Sequence, residues 1–283
     1  MFWALIIAGS LHLHGGVLPA RTAADSSLKS SWQQAASPSD SPNFDAAAEQ
    51  QMLDLANAER ARVGLAPLKL ESGLVKAART HAAAMAAQEQ ISHQFTGEPS
   101  LAERLATNSN LRLDREGENV AVATTSDDAH RALMASPPHR ENLLNPNFNV
   151  VGIGVYRRNN RIYVAQDFGD SLPSYSVEKA QELVEASIEQ LRAQANMPKL
   201  ERTSSGGAAT SACAMAQADS LAAAMPPPGA YMLRYTSMTP ETIPSTISQV
   251  ISQRGLHTYS AGACYARTHK YPSGAYWVVL VFY

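Results

Sequence analysis

The chain has 283 residues and a formal net charge of -2, from 23 Lys plus Arg against 25 Asp plus Glu. This balance excludes the basic face or stripe of a nucleic-acid protein and offers no electrostatic hold on a membrane surface. The length allows two domains of roughly 100–200 residues each, and the alanine-rich segments imply a core built largely of small side chains.

Residues 1–24 read as a secretory signal peptide. An apolar run from Met1 to Leu11 is followed by Leu18-Pro19-Ala20 and Ala23-Ala24, small residues suited to a cleavage site. His12, His14, Gly15 and Gly16 interrupt it, well short of the roughly 20 apolar residues of a membrane span. No Lys or Arg precedes the run, a departure from the usual pattern; the other reading is a short buried helix. Export implies a secreted or periplasmic protein with no integral membrane span after signal removal. Residues 25–44, rich in Ser, Ala, Asp, Pro and Gln, read as a flexible linker.

Asn43 or Asp45 is placed to cap a first helix, carrying Met52, Leu53, Ala56 and Ala61 and ending near Gly64. A second starts near Ser72, with Leu74, Ala78, His81 and Met85 on one face. Ser100-Leu101-Ala102-Glu103 is a capping box opening a third. Ser126 or Asp127 caps a fourth, through Ala129, Leu133 and Met134, which Pro137-Pro138 is expected to stop. The period then changes. Val151–Tyr156 and Arg161–Phe168 read as two strands joined at Asn159-Asn160, residues that tolerate the positive φ of a tight hairpin. Helices followed by strands predict an α+β domain over residues 45–172.

Residues 177–283 read as a smaller α+β region and a degraded copy of the same plan. Ile188–Leu200 resembles Ala58–Leu68, Ala208–Met215 resembles Ala77–Met85, Gly262–Arg267 resembles Ile153–Arg158, and Tyr276–Phe282 resembles Ile162–Phe168. No counterparts of His93, Glu118 and His139 are seen there. Cys213 and Cys264 form no C-x-x-C, which argues against a zinc ribbon or thioredoxin-type site. In an oxidising compartment they are able to pair, Cys213 on a helix and Cys264 on a strand beneath it; the alternative is two buried free thiols.

The motifs that carry chemistry precede the first hairpin. Asn57-Ala58-Glu59-Arg60, Ala77-Ala78-x-x-His81, Ser92-His93, Glu103-Arg104, Gly117-Glu118-Asn119, Ser136-x-x-His139-Arg140-x-Asn142, Val151-Gly152-Ile153-Gly154 and Gln166-Asp167-Phe168-Gly169 follow in order. Together they resemble the CAP superfamily of cysteine-rich secretory, antigen 5 and pathogenesis-related 1 proteins, in its bacterial SCP-like extracellular branch. The resemblance spans residues 50–170. It implies an α-β-α sandwich with a central cleft lined by two histidines and two glutamates. His93, Glu118 and His139 match three of these; the second glutamate falls near Ser136, where this chain departs from the pattern. That loss favours binding over catalysis.

Two imidazoles and a carboxylate are also a ligand set for a divalent metal such as zinc, with water in the fourth position, although the H-E-x-x-H spacing is missing. No catalytic residue is assigned, and a divalent metal such as zinc is the one cofactor these groups suggest. The leading expectation is a binding or interaction module for a small molecule, lipid, peptide or protein partner, with no nucleic acid. The alternatives are a metal-dependent hydrolase, acting as a peptidase or cell-wall enzyme through the same cleft, and a structural surface protein. All three cleft groups are expected at loop or helix ends, His81 in the core, His130 on a solvated helix face, and His269 in a turn with no cluster around it.

Overall fold

The computed structural model of the chain describes residues 43–203 and 207–283. The signal-peptide reading and most of the linker reading lie outside the described residues. Pairing begins at Asn43 and Phe44, within the stretch read as linker: Phe44 bridges Tyr156, and the Asn43 carbonyl accepts from Arg157 N–H.

The first half runs α1 (Ala46–Arg62), β1 (Lys69–Leu70), α2 (Ser72–Gln88), α3 (Leu101–Asn108), β2 (Arg112–Ala123), α4 (Ser126–Ala135), α5 (Pro137–Leu143), β3 (Val150–Arg158) and β4 (Arg161–Leu172). The sheet order is β1-β3-β4-β2, with β1 parallel to β3 and the other pairs antiparallel. Apolar residues of α1, α4 and α5 pack on the Val151, Ile153, Val155, Ile162, Val164 and Phe168 face. On the other face Ala78, Ala82 and Met85 of α2 cover Val120, Tyr163 and Ala165. Leu105 of α3 joins Leu74, Ala77 and Leu113 beside them. This is the α-β-α sandwich expected from the family resemblance. Gly154 permits it, since a Cβ there would strike the α2 backbone at Ala78 and Arg79.

Asp45 caps α1 through Ala48 N–H, and Ser100 and Glu103 complete the capping box of α3. Asn159 and Asn160 take φ of 49° and 60° in the hairpin. Two expectations are corrected and one strand is added. The cap of α4 is Thr125, not Ser126 or Asp127. Pro137-Pro138 does not simply stop a helix: it opens α5, because proline suits the first helical turn, where its missing N–H costs nothing. Residues 112–123, assigned no structure above, form β2, the strand that carries Glu118.

The second half runs α6 (Val177–Gln194), β5 (Glu201–Arg202), α7 (Gly207–Gln217), a 3-10 turn (Leu221–Ala223), β6 (Tyr231–Ser237), α8 (Ser245–Ile251), β7 (Thr258–Ala266) and β8 (Ala275–Phe282). Its sheet order is β5-β7-β8-β6, with the same parallel and antiparallel senses as the first. α6 and α8 cover one face and α7 the other. Gly262 lies against the α7 backbone at Ala208 and Ala209 as Gly154 lies against α2, so the match of Gly262 to Ile153 is shifted by one residue to Gly154.

A buried arginine staples each half in the same way. Arg60 donates from Nε to Ala66 O at 2.8 Å and from Nη1 to Leu143 O and Asn145 O at 3.0 and 2.9 Å. Arg192 donates from Nε to Pro198 O at 2.7 Å and from Nη1 to Ile251 O and Gln253 O at 2.8 and 3.2 Å. Each guanidinium thereby ties the first helix of its half to the loop after that helix and to the end of a later short helix. Cys213 and Cys264 are disulfide-bonded, linking α7 to β7.

Candidate functional site

Strand alternation decides which way the Gly117-Glu118-Asn119 motif faces. Glu118 pairs directly with Asp167 across β2 and β4, and Asn119 with Gln166. Glu118 and Asp167 therefore share the face covered by α2 and α3, with Val120, Tyr163 and Ala165. Asn119 faces the other way. Its Nδ2 donates to His139 O at 3.0 Å, and Asn142 Nδ2 donates to Asn119 Oδ1 at 3.1 Å and Glu118 O at 3.2 Å. These bonds lash α5 to the outer edge of β2. Gly117 allows the approach, because a Cβ there would press on Asn142 Oδ1 and the Phe148 ring at 3.0 Å.

Glu118 is 8 % exposed and is the hub of the cluster. Its Oε1 accepts from His93 Nδ1 at 2.8 Å, and its Oε2 pairs with Arg104 Nη2. The His93 side chain is 62 % exposed. With Nδ1–H donated inward, its Nε2 lone pair is left for solvent or a ligand, a tautomer assigned from the hydrogen bond. Arg104 comes from α3 and also donates to His93 O at 3.2 Å and Pro99 O at 3.3 Å, fixing the loop that presents His93. His81 is fully buried, between Glu98 Oε1 and Ser92 O, each at 2.7 Å. It is a satisfied core histidine, as expected.

Glu98 and Asp167 complete the charge pattern. Burial pushes the Glu98 carboxyl up, but His81, the Phe95 N–H and Arg104 outweigh it and hold the group below the usual range. Asp167 is the reverse case. Burial, with Glu118 alongside, drives its carboxyl well above the usual range, against the pull of Arg104. Neither Asp167 oxygen accepts a hydrogen bond, so the neutral acid, able to donate to Glu118, is the form the site accommodates.

Of the expected site residues, the structure joins His93 to Glu118 directly. His139 is half-buried within α5, its carbonyl rather than its ring tied to Asn119. Burial, then the charge of nearby His93, lowers its imidazole below the usual range. Ser136 is the N-cap residue of α5 and makes no side-chain capping bond. The expectation that all three groups sit at loop or helix ends holds only for His93. Glu118 lies mid-strand and His139 mid-helix, because 112–123 is a strand and the proline pair begins a helix.

His130 is corrected as well. It is 6 % exposed rather than solvated; neither ring nitrogen makes a hydrogen bond, and Nε2 lies 4.0 Å from Glu59 Oε1. His269 lies within electrostatic range of Glu103. Arg104, Glu98 and Asp167 were not expected in the site. Arg104 and Asp167 did stand in quoted motifs, but only the pairing of β2 with β4 and the packing of α3 bring them to Glu118.

The arrangement does not fit a metal at His93, Glu118 and His139. His93 Nδ1 and the Arg104 guanidinium take the two Glu118 oxygens, and a guanidinium in contact with a ligand carboxylate opposes a cation. Among the described residues no group of three or more His, Cys, Asp or Glu is placed to hold a metal ion. Two open depressions, of about 490 Å³ beside Glu71, Lys76 and Asn108 and about 540 Å³ at the Arg157–Arg161 hairpin, lie away from the cluster. No helix among the described residues is long and apolar enough to cross a membrane.

Known proteins resemble part of this chain. Residues 53–168 match the family model described as CAP, the cysteine-rich secretory protein family. The uncharacterized protein YkwD of Bacillus subtilis is 33% identical over 129 residues, 45% of this chain and 49% of YkwD. The chain thus spans about half the length of that relative. An extracellular protein containing a SCP domain from Bacillus anthracis is 29% identical, with a TM-score of 0.40, over 44% of this chain and 40% of that one. The crystal structure of Na-ASP-1 matches 85% of this chain and 90% of its own at 7% identity, with a TM-score of 0.48. Residues 53–168 thus match the CAP domain of the cysteine-rich secretory protein family, and the chain is similar over that stretch to YkwD.

Proposed function

We propose that the chain is an exported CAP-domain binding module, secreted or periplasmic, whose ligand meets a cleft at His93, Glu118 and His139. The observation that carries this reading is the His93–Glu118–Arg104 relay. An exposed imidazole is held in one orientation by a buried carboxylate that an arginine already neutralises. Such a group is a directional hydrogen-bond partner at the surface. Glu118 is buried, and both its oxygens are already engaged by His93 and Arg104, which lowers its strength as a general base; Ser136 supplies no second carboxylate, so binding is favoured over hydrolysis. The organisation that goes with it is a CAP domain at 45–172 and a degenerate copy at 177–283. In the copy the scaffold is kept and the polar cluster is not.

The test is a histidine-ring NMR titration of the full chain with three probes: anionic lipid vesicles, soluble muropeptides and an unstructured peptide library. Binding is expected to perturb the His93 and His139 ring signals with one probe, and His93→Ala is expected to weaken that probe at least tenfold. Product release from muropeptides or peptides that vanishes in Glu118→Gln would overturn the binding assignment in favour of a hydrolase. Dialysis against zinc checks the metal reading, which requires uptake lost in the His93→Ala/His139→Ala double variant.

A further inference from the structure

The pair that neutralises the cluster, Arg104 and Glu118, spans two elements. Arg104 rides on α3 and Glu118 on β2, and the short connection Ser109–Leu111 joins them. Contacts with the second half hold both ends of that connection. Arg267, just past the end of β7, donates from Nη1 to Ala106 O at 2.7 Å and Ser109 O at 2.8 Å, and from Nη2 to Leu111 O at 2.9 Å. A guanidinium on the last carbonyls of α3 satisfies acceptors that the helix leaves open and matches the negative end of its dipole.

On the other side Arg112, the first residue of β2, is 2 % exposed and reaches into the second half. It donates to Pro173 O and Met238 O, and its guanidinium lies over the rings of Tyr276 and Tyr265, at 4.5 and 5.2 Å. His269, two residues beyond Arg267, lies within electrostatic range of Glu103 in the first turn of α3.

We infer that the second half is a positioning element for the cluster of the first: through Arg267 it seats α3 and thereby holds Arg104 against Glu118. Arg267 touches neither Glu118 nor His93 and acts only through the helix. This gives the second half a role although it has lost the polar cluster itself. The inference concerns the seating of Arg104 and stands independently of whether the cleft takes a ligand.

The experiment compares Arg267→Ala, Arg267→Lys and Arg234→Ala in the full chain. Arg234 is the control, since it grips Leu221 O and Ala224 O within the second half and lies outside the cluster. Two quantities are read under conditions where every variant is folded: the nitrogen-15 signals of the Arg104 guanidinium, slow to rotate when held in a buried pair, and amide exchange protection along α3. Arg267→Ala is expected to average the Arg104 signals and lower α3 protection about tenfold, as three charge-assisted bonds are lost. Arg267→Lys should recover part of both, and Arg234→Ala should move neither. Arg104 signals unchanged in Arg267→Ala would overturn the inference. So would an equal loss in Arg234→Ala, which would mean that Arg267 contributes only general stability.

Discussion

The two sheets share order, strand senses and an arginine staple, and differ in what occupies equivalent positions. Gly117 pairs with Phe168 as Tyr231 pairs with Phe282, so Glu118 corresponds to Met232 and Asp167 to Val281. By the same register Asn119 becomes Leu233 and Gln166 becomes Leu280. The seven-residue helices α5 and α8, both ending on the carbonyl that the staple grips, set His139 against Ile247 and Asn142 against Val250. Every polar member of this set is apolar in the second half. A sandwich of this topology therefore needs the glycine approach and the staple, whereas the buried charges are an addition that folding does not demand. Replacing a buried ionic network by packed apolar groups is often neutral or stabilising, so charges retained at a desolvation cost point to function in the first half.

Five changes break or sharpen this comparison. The staples come first. Arg60→Ala and Arg192→Ala each strand several buried carbonyls, and each should lower unfolding stability by about 3–5 kcal/mol; denaturant curves showing a large loss in one variant alone would break the equivalence. Glu118→Gln takes the closest anion from buried Arg104, leaving Glu98 at 3.7 Å, and should cost about 3 kcal/mol, while Met232→Leu at the matching position should cost less than about 1.5 kcal/mol. Paired thermal melts check both.

Removing the disulfide with Cys213→Ser/Cys264→Ser should cost about 2–4 kcal/mol. Calorimetry with and without reductant measures it, and two free thiols in the unfolded, unreduced protein would contradict the bond. Gly154→Ala and Gly262→Ala push a helix off its sheet and should each cost about 1–3 kcal/mol, with fluorescence-detected urea unfolding as the measure.

The smallest effect is a pH slope. Burial lowers the His130 imidazole, against the pull of Glu59 and Asp127, below its ordinary value of 6.5. The unfolded chain therefore takes up the proton first. Stability from this group is full above about pH 6.5 and declines as the pH falls through that value. His139 acts in the same sense. His130→Gln should flatten the slope below about pH 6.5, read from denaturant midpoints as the pH falls through that value.

Much of this comparison was legible in the residues. The Asn159-Asn160 hairpin, the Ser100–Glu103 capping box, the first two helices, and in the second half the helix of Cys213 and the last two strands all follow from local spacing; β6 and α8 between them do not. The grouping of His93 with Glu118 follows as well, through motif order. The strand at 112–123 was not legible, because Arg112, Asp114, Glu116 and Glu118 break the apolar alternation that marks a strand. Those charges are tolerated because Arg112 is taken up by the second half and Glu118 by Arg104. The burial of His130 escaped for a similar reason: it depends on α1 packing against α4, which no local pattern records.

Local propensity and motif order, both short-range properties of the chain, determined where the first four helices and the β3–β4 hairpin lie and which side chains are chemically able to act. Tertiary structure alone decided that Glu118 is spoken for by His93 and Arg104, that Asp167 lies behind it without a donor, and that Arg267 in the second half seats the helix carrying Arg104. These are contacts between residues far apart in the chain. Their energies come from desolvation and charge in a shared interior, which no window of sequence contains.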